Sequence, residues 1–135
     1  MQLSTASELK GLARLLLACE NAQGDAARPG GPAAFGVCEK LRGPLSKNLG
    51  PGGLFALMGR ALALAGRESP WLRSLQIKAD RSVEGLDPLA PKLDMRAIAE
   101  GEVAFVAQLL GLLVTFIGAA LTVRFLHDIW PELDV

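Results

Sequence analysis

The sequence predicts an all-α fold, a small helical bundle of about four to five helices with one long, strongly apolar C-terminal helix. Three observations predict it. Apolar residues recur at spacings of three and four through residues 9–17 and again through 35–49, the period of one helix face. Residues 103–123 read VAFVAQLLGLLVTFIGAALTV, with no charge and only Gln108, Thr115 and Thr122 as polar side chains. Glycine and proline clusters at 24–32 and 50–53, and the prolines at 88 and 91, divide the chain between these patterns.

The first helix is expected over 7–21. Thr5 and Glu8 have capping-box spacing, each able to satisfy a free N–H near the helix start. Leu9, Leu12, Ala13, Leu16 and Leu17 then make one apolar stripe. A second helix is expected from Ala33 to Lys47, with Phe35, Cys38, Leu41 and Leu45 facing inward. Proline removes a backbone donor and crowds the preceding turn, so a kink is expected at Gly43-Pro44.

After a connection at 48–53, residues 54–65 form a third helix whose only polar side chain is Arg60. An all-round apolar helix of a dozen residues is too short to span a membrane and reads as centrally buried, with Arg60 a buried polar group. Gly66 supplies the stop. Ser69 and Pro70 suit the start of a short fourth element, with Trp71, Leu72 and Leu75 inward. Alternation through Leu75, Ile77 and Ala79 predicts a short β-hairpin near 75–85. Residues 87–91 are a linker. Asp94 is placed to cap the last helix, which Gly101 weakens only mildly and Trp130-Pro131 ends. The expected organisation is a small basic helical domain over 1–93, the long apolar helix over 94–130, and a tail over 131–135.

The formal charge is zero but unevenly spread. Residues 1–93 hold twelve Lys/Arg against eight Asp/Glu, and residues 94–135 hold two against six. A basic domain beside an apolar helix suits the anionic cytoplasmic face of a membrane, with Lys40, Arg42, Lys47, Arg73 and Lys78 as its surface cations. The rival reading is an ordinary solvated helical surface. A helix over 103–123 just crosses a hydrocarbon core of about 30 Å, and the acidic tail would then lie outside. In the competing arrangement the same helix is the buried spine of a soluble bundle. Under either, Gly111, Thr115, Gly118, Ala119 and Thr122 offer a small-residue face for helix packing, and Gln108 is a candidate buried polar group.

Cys19 and Cys38 lie far apart, and the single histidine, His127, has no cysteine or histidine partner in sequence, so neither a disulfide framework nor a zinc site is expected. Phosphate-binding and nucleophile-elbow motifs are missing. The basic residues are not interleaved with aromatics, which argues against nucleic acid. No cofactor, metal or small-molecule substrate is therefore expected. The expectation is a non-enzymatic, membrane-anchored helical protein that acts through protein–protein contacts or self-association, its N-terminal domain cytoplasmic. The alternative is a soluble helical adaptor or regulatory subunit built around 103–123.

Overall fold

The computed structural model describes residues 6–23, 33–74, 76–77, 83–84 and 95–131. The protein is all-α. Helix α1 spans Ala6–Gln23 and α2 spans Ala33–Ala65, followed by a 3-10 turn at Pro70–Ser74. The C-terminal pair is α3, Met95–Ile117, and α4, Ala119–Ile129. Gln76–Ile77 and Val83–Glu84 form a two-residue antiparallel pair, Gln76 opposite Glu84 and Ile77 opposite Val83. That pair adds no sheet layer to the fold. The expected caps Thr5 and Asp94, the loop 24–32, the linker 87–91, Leu75, Lys78 and the tail beyond Pro131 lie outside the described residues.

Helix α3 is the centre. It packs chiefly against α2 and α1, and α4 returns onto α3 and touches α2. Ala104, Phe105, Val106 and Ala107 are buried in succession, so α3 is enclosed on all sides there. Leu12 and Leu16 from α1, Leu41, Leu45, Leu54 and Met58 from α2, and Leu109, Leu110 and Leu113 from α3 join one cluster. The core therefore runs unbroken across residue 94.

The predicted second and third helices meet end to end, separated by a single residue. The backbone is helical through Gly43 and Pro44 and departs only at Gly50 (φ 77°, ψ 162°). The kink expected at Pro44 is therefore displaced by six residues. Leu41 and Leu45, fully buried on either side of Pro44, hold the helix through the proline. At Gly50 the dihedrals lie in a region that is essentially restricted to glycine.

The predicted continuous helix over 94–130 is likewise two helices. Gly118 (φ 88°, ψ 157°) breaks it. Its N–H closes the last turn of α3 on Val114 O at 2.9 Å, and its C=O receives the N–H of Thr122 at 3.1 Å to open α4. Thr122, Leu126 and Trp130 then form a four-residue repeat, all buried, which turns α4 back against the bundle. The Lys40 ammonium sits 5.7 Å from the Trp130 ring centroid, within cation–π range.

The stop after α2 follows expectation. Gly66 N–H bonds Leu62 O at 2.9 Å, and Leu72 N–H bonds Ser69 O at 3.0 Å in the short turn that begins at Pro70.

Candidate functional site

The second half of α2 has a buried face and an outer face at helical spacing. Leu54, Leu57, Met58, Ala61, Leu62 and Ala65 are buried, whereas Phe55, Ala56, Gly59, Arg60 and Ala63 are exposed. The expectation that residues 54–65 are buried all round, and Arg60 with them, is corrected here. Residues 56, 59 and 63 lie on the outer face, and Arg60 stands in solvent on it. Phe55 is 38% exposed on the same stripe. Neither the size nor the polarity of the apolar residues marks this face in the sequence, since Ala61 and Ala65 are buried while Phe55 is exposed.

The small-residue face predicted on the last helix is divided by the break at Gly118. Gly111 does meet another helix, since a Cβ there would lie 3.2 Å from Leu9 Cδ1 of α1. Thr122 is 1% exposed and belongs to the core. Thr115, Gly118 and Ala119 are exposed. The four-residue spacing assumed one straight helix, and the chain's change of direction removes that assumption. Gln108 is half-buried.

The exposed part of the apolar run gathers at the α3–α4 corner. Phe116 is 63% exposed, and Thr115, Gly118, Ala119 and Ala120 are exposed around it. Both threonine hydroxyls near the corner donate into the backbone four residues earlier, Thr115 Oγ1 to Gly111 O at 2.9 Å and Thr122 Oγ1 to Gly118 O at 2.8 Å.

Of the predicted surface cations, Lys47 is exposed, Arg42 is half-buried, and Lys40 lies over Trp130. The side chains of Arg73 and Lys78 are outside the described residues. Arg60 and Arg67 are the other exposed cations of α2 and the turn after it.

An open groove of about 410 Å³ lies between α1, the turn after α2 and the start of α3. Lys10 Nζ and Glu68 Oε1 pair across it at 2.5 Å, and Arg96 Nε meets Glu100 Oε1 at 3.6 Å one turn along α3. Its carboxylates, Glu68 and Glu100, are thus engaged by cations, and Ser69 adds a buried hydroxyl to its lining. On α4, His127 Nε2 is buried without a hydrogen-bond partner among the described residues, while the neighbouring Asp128 is exposed. Among the described residues no three His, Cys, Asp or Glu side chains cluster as metal ligands would. Cys19 is half-buried.

Arg96–Ile117 is long and apolar enough to cross a membrane, and 44% of its most apolar stretch is buried inside the bundle. No family model matches the chain, and no curated protein or solved structure matches it.

Proposed function

We propose that the chain is a non-enzymatic helical-bundle protein that acts through contacts with another protein, as an adaptor, regulatory or assembly subunit. One observation carries this reading, the stripe of Phe55, Ala56, Gly59, Arg60 and Ala63 on the outside of α2. An aromatic and an arginine on a rigid helix are the residue types that dominate binding energy at protein interfaces. The small residues between them let a partner's backbone approach closely, in the manner of a helix laid along a helix. A photo-reactive residue placed at Ala56 tests the reading in cells. A single adduct of defined mass, lost on Arg60→Glu, is expected. Absence of any adduct from both Ala56 and Ala63 would remove the support.

The membrane anchor is the second reading, favoured by the length and apolarity of Arg96–Ile117. It places the basic N-terminal region in the cytoplasm and requires α3 to leave α1 and α2, exposing Leu12, Leu16, Leu41, Leu54 and Met58, all of which it now helps to bury. Resistance of the full-length protein to alkaline extraction would favour it over the bundle.

A further inference from the structure

We propose that the groove between α1, the turn after α2 and the start of α3 binds a small organic monocarboxylate with a compact aliphatic body. This rests on a different surface from the stripe on α2 and stands or falls separately from it. The turn is tied to both of the helices beside it. Lys10 of α1 pairs with Glu68 at 2.5 Å, and Trp71 Nε1 donates to Ala97 O of α3 at 3.2 Å. The walls are therefore fixed, and the space between them, about 410 Å³, is of small-molecule size. A site built in advance spares its ligand the cost of ordering it.

The charges that line the groove do not all cancel. They are Lys10, Arg14, Glu68 and Glu100. Lys10 is matched by Glu68, and Glu100 by Arg96 at 3.6 Å. Arg14 has no acidic partner among the described residues. It lies one turn beyond Lys10 on the same face of α1. Its planar guanidinium is the group that takes a carboxylate through two parallel hydrogen bonds. One unmatched positive charge calls for one negative charge. A dianion would be repelled more strongly by Glu68 and Glu100, so a monoanion suits the groove better than a phosphate.

The rest of the lining supplies a second polar contact and an apolar strip. Ser69 is 9% exposed. Its N–H bonds Ala65 O and its C=O accepts the Leu72 N–H, both at 3.0 Å, whereas its hydroxyl has no partner among the described residues. A serine hydroxyl can donate one hydrogen bond, which a carboxylate oxygen accepts. On the α3 side the lining is Ala99, Val103 and Ala104. Ala99 and Val103 are one turn apart, so the strip is about 6 Å long at about 1.5 Å per residue. A branched chain of a few carbons covers that length, and a long acyl chain overruns it.

Calorimetric titration of the full-length protein tests the proposal, using 4-methylpentanoate, its amide, 4-methylpentylamine, inorganic phosphate and an acetylated tetrapeptide ending in leucine. The free acid is expected to bind with a Kd of about 1 mM or tighter. The other four should bind more weakly, the peptide because the apolar strip is only one turn long. Arg14→Gln changes an exposed side chain, so it should keep the wild-type circular dichroism and melt while binding the acid about tenfold less. Arg14→Lys should recover part of the affinity, since an ammonium keeps the charge and loses the fork. Ser69→Ala should weaken binding about threefold. Arg67→Gln, which alters an exposed arginine outside the groove, should bind as wild type does. An acid that gives no heat, or an Arg14→Gln protein with wild-type affinity, would overturn the proposal. So would an amide or a phosphate that binds as tightly as the acid, because the groove would then read no carboxylate. Tighter binding of the amine would show that Glu68 and Glu100 select the ligand, and tighter binding of the peptide would give the groove to a chain terminus; either result overturns it.

Discussion

Gly101 and Trp71 are the clearest case of one residue fitted to another. A Cβ on Gly101 would stand 2.7 Å from Trp71 Cε2 and 2.8 Å from Nε1, closer than real side chains approach. Trp71 Nε1 donates to Ala97 O at 3.2 Å, so the indole is held against one turn of α3. Alanine is favoured over glycine in a helix by about 1 kcal/mol, but displacing a packed ring costs about 1–3 kcal/mol. Gly101→Ala is therefore expected to destabilise by up to about 2 kcal/mol. Gly11 in α1 has nothing within 4 Å of its would-be Cβ, and Gly11→Ala should stabilise by about 0.5–1 kcal/mol. Urea melts of the two variants should move in opposite directions. Equal shifts would show that the indole yields freely. In sequence Gly101 reads as a mild interruption, because its use depends on a tryptophan thirty residues earlier.

At the scale of elements, two glycines define the architecture. Gly50 and Gly118 have dihedrals outside the range that side chains tolerate, so alanine at either should cost about 1–3 kcal/mol despite its higher helix propensity. Chemical melts check this, and a gain in stability at Gly118 would mean that α3 and α4 can fuse at no cost. The periodicity of residues 9–17, the stop at Gly66 and the start at Ser69-Pro70 were legible because local chemistry determines them. The breaks were not. Glycine within an apolar run weakens a helix only slightly, and what turns α4 back is the distant burial of Leu126 and Trp130. Proline at 44 misled in the opposite sense, since the core contacts of Leu41 and Leu45 outweigh a local helix-breaking tendency.

For the molecule as a whole, α3 is shared property. Leu12, Leu16, Leu41, Leu54 and Met58 lie in the same cluster as Phe105, Leu109, Leu110 and Leu113. A fragment of residues 1–101 should therefore lose its cooperative melt and aggregate, read by circular dichroism and light scattering. A folded, soluble fragment would show that α1 and α2 have a core of their own. All-helical class and the centrality of the C-terminal run were readable from composition and period. Which parts of that run face outward was not, since a 21-residue stretch without charge offers no polar mark of its outer side. Phe116 is indistinguishable in sequence from Phe105, yet one is 63% exposed and the other 2%.

A core that joins the beginning of the chain to its end also sets an order of events during synthesis. The ribosome delivers α1 and α2 before any of α3 exists. At about 5–20 residues per second, making residues 95–131 takes about 2–7 s. Throughout that interval the apolar stripes of the first two helices have only each other, or a chaperone, to cover them. Closure of this core consequently waits until α3 has left the ribosome.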